Sequence, residues 1–426
     1  MTTETILILG GSFAGLGAAH YALRHTIPQL PKNEGVQYTV TLVNPSKDFY
    51  WRFAGPRAAV SKTLMPRSKY LYPIEPAFSY ATGPEGMFEF VEGSATHIDT
   101  AGRTVSITTP DGQRDIVYAA LIIATGVSTP SPLFTQNTNG DDLECTYDAF
   151  QKSLSTAKHV VISGGGPVGV ETAGEIAEFL NGKPGFFAPS SPKNPNAKVT
   201  MICADSKLLP MLRGSISKSA EKYLNRLGAE VLYNTKVVSS ADNGGDDEGG
   251  QTLVQLADGK KMGADIYIDA TGVRPNTDFL PKDLLDTRNK IACNPRTLRV
   301  DVAGPFVYVL GDVASYTRGG VMDLADAVPV VLTNLKTDLT AHISGDPAGP
   351  DRFYIANLKE QQIAPIGTAK GVGAFSGWRV PSLMVWFLKG RDYMVGMMAL
   401  PTLNGDSWKK EGKWKAEVGQ VGLSSG

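Results

Sequence analysis

ILILGGSFAG at Ile6–Gly15 and VVISGGGPVG at Val160–Gly169 are two apolar strands that each run into a glycine-rich turn and then a helical pattern. A turn of this kind aims backbone N–H groups and the positive end of a helix dipole at a pyrophosphate. The first glycine of such a cradle permits the tight turn, the second lets the backbone approach phosphate, and the third lets helix pack on strand. In the second cradle all three places are filled, by Gly164, Gly166 and Gly169, with Glu171 following. In the first they are Gly10, Ser12 and Gly15, and the serine is small enough, with a hydroxyl able to donate, to be tolerated. Two cradles in one chain predict two dinucleotides bound face to face, most economically a flavin reduced by a nicotinamide.

The first unit reads as strand Thr5–Leu9, helix from about Phe13 to Arg24, a polar loop from Pro28 to Gly35, and a β-branched strand Val40–Asn44. A meander of short strands follows, with a turn at Asp111-Gly112. The second unit reads as a strand from His159, a helix to about Leu180, a Pro/Gly/Asn-rich loop over 182–196 and a strand Lys198–Cys203. ADNGGDDEGG at Ala241–Gly250 reads as a solvated hairpin tip. LIIATG (Leu121–Gly126) and DIYIDATGVRPN (Asp265–Asn276) each end a strand in Ala-Thr-Gly, either beside a dinucleotide or at a crossing between domains. VYVLGDVA (Val307–Ala314) ends a buried strand in Gly311-Asp312, where the carboxylate either accepts from flavin ribityl hydroxyls or caps a helix.

The acidic residue expected at the end of the strand after each cradle, to bind ribose hydroxyls, is missing: Asn44 stands there in the first unit and Cys203 in the second. Asn44 can still accept a ribose hydroxyl through its amide oxygen. Asp205 lies two residues beyond Cys203 and Lys207 is the nearest cation for a 2′-phosphate, so NADH and NADPH both stay open.

With 41 basic and 42 acidic residues, nothing predicts nucleic acid as a partner. Cys145, Cys203 and Cys293 are too scattered for a disulfide framework or a zinc site, which predicts a reducing, cytoplasmic setting. The apolar N-terminal stretch reads as a first strand rather than a signal peptide, and no metal is expected. No stretch reaches the roughly 20 apolar residues of a spanning helix. From Val380 to Leu400 the chain is apolar but broken by Lys389-Gly390-Arg391-Asp392, with Trp378 and Trp386 as interface anchors. Residues 378–400 are therefore expected either to touch a membrane peripherally or to cover the active site or form a homodimer contact. The segment from Trp408 reads as a solvated tail.

The ordered set GGSFAG, ATG, GGGPVGVE, ATGVRPN and LGDVA resembles the FAD-dependent pyridine nucleotide-disulfide oxidoreductase superfamily, from Ile6 to about Leu339. GGGPVGVETAGE, VNPSKDFYWRFAGPRAAV and the tail GWRVPSLMVWFLKGRDYMV are most similar to its apoptosis-inducing-factor-like, ferroptosis-suppressor branch. The resemblance implies an α/β fold with two Rossmann-like dinucleotide-binding domains in the glutathione-reductase arrangement plus a small C-terminal region. FAD would be held by 1–130 and 276–345, NAD(P)H by 131–275, with 346–426 as the C-terminal region. It implies that Gly10, Ser12, Gly15 and Asn44 face the adenosine half and pyrophosphate of FAD, that Ala95 offers backbone to adenine, and that Thr125, Gly126, Gly311 and Asp312 complete the site. Arg57 would be a cation near pyrophosphate or flavin, or else a surface arginine. Gly164, Gly166, Gly169 and Gly272 would hold NAD(P)H, and Glu171, near the nicotinamide ribose, is the one candidate for a catalytic role.

Relatives often carry a lysine after Gly-Asp near the flavin edge, whereas this chain has only Arg318 there. The helix from about Leu324 through Asn334 would point its positive end at the flavin. No CxxC or CxxxxC pair exists, so electrons are expected to pass directly from nicotinamide to flavin and on to a quinone-like small acceptor. The alternatives are a monooxygenase or oxidase of specialised metabolism, against which stands the lack of an FxGxxxHxxx fingerprint, and a redox-sensing, death-signalling flavoprotein with little turnover.

Overall fold

The chain forms two doubly wound α/β units side by side, described by a computed structural model over residues 2–32, 35–82, 86–136, 140–185, 189–242 and 251–414. In the first unit five parallel strands lie in the order Val307–Val309, Ala120–Ile123, Thr2–Leu9, Val36–Asn44, Phe88–Glu92. Because strand side chains alternate, Ile6 and Ile8 enter one apolar core and Leu7 and Leu9 the other. That two-sided burial is why the strand reads as an unbroken apolar run. Four parallel strands form the second sheet, in the order Ala229–Leu232, Lys198–Ile202, His159–Ser163, Ile266–Asp269. Antiparallel meanders over Ser94–Val117 and, where described, from Val237 to Ala264 hang on the two units.

The two Ala-Thr-Gly segments meet at the crossing between the units. Val127–Ser128 pairs antiparallel with Arg274–Pro275, Thr125 Oγ1 donates to Asn276 O at 2.8 Å, and Asn276 Nδ2 donates back to Thr125 O at 2.8 Å.

Several elements differ from the sequence reading. The first helix is α-helical over Phe13–Tyr21 and then widens into a π-turn over Ala22–Thr26. It is buried nearly all round, since the sheet lies on one side and the helix Leu324–Ser344 packs on another. That later helix runs ten residues past Asn334 and tolerates Pro329 in its second turn. The expected solvated tail begins docked: Trp408 O accepts from His25 Nε2 at 2.7 Å, and Glu411 accepts from Gln29 Nε2 at 2.8 Å. Trp408 also lies against Gly17, so the cradle helix has a place for an indole where any side chain at Gly17 would crowd it. The hairpin tip expected at 241–250 falls almost wholly outside the described residues, as does the tail beyond 414.

The C-terminal region adds a three-stranded antiparallel sheet, Gln362–Ile366, Lys370–Phe375 and Trp378–Arg379, and then helical turns over Ser382–Leu403. Its strand Gln362–Ile366 packs on the helix Pro167–Asn181 of the second unit.

Candidate active site at the junction of the two cradles

Both turns are closed by the same steric logic. Gly10 has φ +109°, and a Cβ there would stand 2.3 Å from Ala124 O; Gly164 has φ +116°, and its Cβ would stand 2.3 Å from Ala270 O. Gly15 and Gly169 lie so close to the backbone of their turns that a Cβ would meet the carbonyl oxygens of Gly10 and Gly164 at 1.7 and 2.0 Å. A side chain at Gly15 or Gly169 would push the helix off its turn, and one at Gly10 or Gly164 would push the turn off the neighbouring strand end. Gly166 is different: a Cβ would meet nothing within 4 Å, so the N-terminus of the helix Pro167–Asn181 faces open space. Ser12, the residue before the first helix, makes no capping bond, which leaves its hydroxyl for a ligand. The glycines, the free hydroxyl and the open helix end fit the diphosphates of FAD and of a nicotinamide dinucleotide.

Of the other residues expected at the flavin, Thr125, Gly311 and Asp312 lie beside the first cradle. Thr125 Cα lies 3.2 Å from where a Gly10 Cβ would be, and Gly311 approaches Ala14 in the first helical turn. Asp312 sits next to this contact, with Oδ1 accepting from Gly320 N at 2.9 Å. Lys290, a residue the sequence reading passed over, donates to Ala314 O at 3.2 Å and Thr317 O at 3.0 Å. It pins the loop that carries Asp312, and its own pKa is lowered by burial against the pull of Asp312. Ala95 lies at the start of the meander, opposite Ile107, two residues past the Gly93 N–H that bonds Asn44 O. Gly126 and Gly272 flank the crossing between the units, each with open space on its Cβ side.

Two expectations change. Asn44 Oδ1 accepts from Gly11 N at 2.8 Å and Nδ2 donates to Ser46 O at 2.6 Å, so the amide ties the phosphate turn to the loop that follows the strand Val36–Asn44. A carboxylate could take the first bond but could not donate the second, which is a physical reason for asparagine here. Arg57 is not a surface arginine. It is buried, its Nε and Nη2 lie on Glu175 at 3.1 and 2.8 Å, and its Nη1 donates to Gly390 O at 2.8 Å and Arg391 O at 3.0 Å. Its donors are spent on a clamp between the first unit, the second unit and the C-terminal region.

The helix Pro167–Asn181 presents Glu171, Glu175 and Glu178 on one face, at i, i+4 and i+7. That stripe reads as solvent-facing in isolation, yet Glu171 and Glu175 are each 3 % exposed. Each acid meets a partner from the C-terminal region: Lys389 Nζ donates to Glu171 Oε1 at 2.5 Å, Tyr393 O–H to Glu175 Oε1 at 3.1 Å, and Thr368 N to Glu178 Oε2 at 3.0 Å. Burial pushes the Glu171 carboxyl up to about 7, with Lys389 pulling the other way. Burial also holds the Tyr393 phenol well above its ordinary range. Lys389 comes from the polar break in the apolar tail. It stands 5.4 Å from the Phe53 ring, beside an edge-on cluster of Phe13, Trp51 and Phe53 that begins one residue past Ser12. Tyr393 and Met394 adopt φ of +55° and +65°, strained for side-chain-bearing residues, and Trp51 Nε1 bonds Tyr393 O at 2.9 Å.

The helix Leu324–Ser344 is preceded by Asp323 and carries Asp326 in its first turn. These carboxylates already answer part of its dipole. Cys145, Cys203 and Cys293 are free thiols, and no group of three metal-ligating side chains occurs among the described residues. No described helix is long and apolar enough to cross a membrane. Trp378, Leu383, Met384, Phe387, Met398 and Leu400 nevertheless form an exposed apolar set on the C-terminal region.

A family profile described as pyridine nucleotide-disulphide oxidoreductase matches residues 4–329. The chain is 39% identical over 419 residues to oxidoreductase phnG of Penicillium herquei, covering 97% of this chain and 96% of that protein. It is 24% identical to human ferroptosis suppressor protein 1, covering 92% and 93%. Among solved structures, its fold is similar to the sulfide:quinone oxidoreductase of Aquifex aeolicus, with a TM-score of 0.68, 16% identity and coverage of 94% and 92%. It is also similar to NDH2 of Plasmodium falciparum solved with NADH, with a TM-score of 0.64, 17% identity and coverage of 95% and 97%.

Proposed function

The chain belongs to the pyridine nucleotide-disulphide oxidoreductase family, in its apoptosis-inducing-factor-like branch, and from that premise we propose that it carries electrons from NAD(P)H through FAD to a quinone-like small acceptor. This family uses FAD and NAD(P)H. Bound there, FAD would supply a carrier able to take hydride from the nicotinamide and pass electrons to the acceptor. The rest is the work of this chain's residues. Gly10, Ser12, Gly15, Thr125, Gly311 and Asp312 bind and orient the flavin dinucleotide, with Asn44 and Lys290 bracing its two loops. Gly164, Gly166 and Gly169 hold the nicotinamide dinucleotide at the open helix end.

The observation that carries the proposal is the Glu171–Lys389 pair. It brings the C-terminal region onto the helix of the second cradle and excludes water from that side of the junction. A carboxyl raised to about 7 holds a proton near neutral pH, where two-electron reduction of a quinone consumes protons. The exposed apolar set around Trp378 and Phe387 supports a lipophilic acceptor, met at a membrane surface.

Stopped-flow reduction of the flavin-loaded protein by NADH or NADPH, then reoxidation by quinones or air, tests this reading. Fast reoxidation by quinone supports it. Reoxidation only by oxygen, coupled to a hydroxylated product, replaces it with a monooxygenase.

A further inference from the structure

Which nicotinamide dinucleotide the second cradle takes is decided at the end of the strand Lys198–Ile202. In Rossmann units the residue there meets the adenosine ribose, where a carboxylate accepts from the 2′-hydroxyl and a cation receives a 2′-phosphate. Here Cys203 is turned inward: a Gly165 Cβ would stand 2.3 Å from its Sγ, and the thiol donates to Lys207 O at 3.5 Å. The loop after it lies against the glycine turn, since Leu209 N donates to Gly165 O at 2.8 Å. Its far side is fixed as well, by Asn234 N to Asp205 O at 3.2 Å and Thr235 N to Cys203 O at 3.1 Å. Ala204, Asp205 and Ser206 are the exposed residues of this braced rim.

The cations of the loop are already engaged. Lys207 Nζ donates to Leu212 O at 2.6 Å, and Arg213 lies on Glu360, with Nε 2.8 Å from Oε2. No cation pairs with Asp205 among the described residues.

We infer that Asp205 selects NADH: its exposed carboxylate, held beside the cradle with Lys207 and Arg213 committed elsewhere, accepts the free 2′-hydroxyl and repels a 2′-phosphate. The inference rests on the proposed function, because it names the coenzyme of the same cradle. Specificity here comes from a built-in repulsion as much as from attraction.

The test is direct titration of the flavin-loaded protein with NADH and NADPH by calorimetry, paired with stopped-flow flavin reduction. NADH is expected to bind at least about tenfold tighter, the scale of a like-charge clash near a surface. Asp205→Asn keeps the shape and removes the charge, at an exposed position where folding is not at stake. It should bring the NADH:NADPH ratio to within about threefold, chiefly by tightening NADPH. Equal or tighter NADPH binding by the unaltered protein, or an unchanged ratio in Asp205→Asn, overturns the inference while leaving the oxidoreductase reading intact. Lys236, exposed directly after Asn234 and Thr235, is a further cation beside this rim, and if an NADPH preference disappears in Lys236→Met the selecting group lies there and the inference is likewise overturned. Failure of both coenzymes to bind or reduce the flavin sinks the oxidoreductase reading and this one with it.

Discussion

Lys389 Nζ donates to Glu171 Oε1 although 218 positions of chain separate the two residues, and both are buried. Without Lys389 the buried Glu171 carboxyl takes up a proton and loses its donor, a loss of about 1–3 kcal/mol. Lys389→Met should therefore lower stability by that amount in urea denaturation and slow acceptor reduction, whereas Glu171→Gln with Lys389→Met should recover much of the stability. A double variant no better than Lys389→Met would show that the two side chains are not coupled.

The pH dependence of stability should carry the sign of a raised carboxyl. Glu171 sits near 7 in the folded chain against an ordinary 4.5, so between those values the folded state holds more protons than the unfolded one. Its contribution is fully present below about 4.5 and is lost as pH rises to about 7, opposite to the usual acidic residue. Comparing denaturation midpoints of the unaltered protein and Glu171→Gln from pH 5 to 8 isolates it, and parallel curves would contradict the assignment.

Flavin retention should depend on Asp312 and, one step removed, on Lys290. Asp312→Ala is expected to cut the flavin-to-protein absorbance ratio sharply. Lys290→Met frees the carbonyls of Ala314 and Thr317 and should weaken FAD binding about tenfold, on the scale of one or two lost charge-assisted hydrogen bonds. An undiminished affinity in Lys290→Met would mean that the loop holds its shape alone.

Gly166→Leu offers the converse. Since a Cβ there meets no neighbour, the substitution should fold and keep its flavin while blocking the open helix end. NADH titration should show at least about a tenfold loss, and equal loss of both cofactors would mean that the cradles have been assigned to the wrong dinucleotides.

Asn44→Asp tests the brace. The Oδ1 bond to Gly11 survives but the Nδ2 donation to Ser46 O does not, leaving a carboxylate facing a carbonyl. A stability loss of about 1–2 kcal/mol with weaker FAD binding is expected, measured by thermal denaturation with and without added FAD.

The sheets and both cradles were legible because their determinants are local: β-branched runs buried on two faces, and glycines whose missing side chains are dictated by the adjacent turn. The turn at Gly311-Asp312, just past the strand Val307–Val309, was legible for the same reason. The burial of Arg57 was not legible because nothing local shows that its donors will meet Glu175 and three carbonyls from more than 300 positions onward. Lys389 was visible only as a break in an apolar segment, and Lys290 as one charge in a turn-rich stretch. A clue did exist in the spacing of Glu171, Glu175 and Glu178: an acidic stripe on a helix that follows a phosphate cradle must be answered by something, and here the answer comes from the far end of the chain. The expected dipole at Leu324 was incomplete because Asp323 and Asp326 already occupy that helix end.

The clamp made by Arg57, Glu175, Lys389 and Glu171 also orders events during synthesis. Until residue 389 has left the ribosome, the second unit carries an acid whose countercharge has yet to be translated, so a nascent or truncated product keeps an unfinished seam. Completion of the chain thus closes the seam, and a product ending before residue 389 leaves Glu171 without its countercharge.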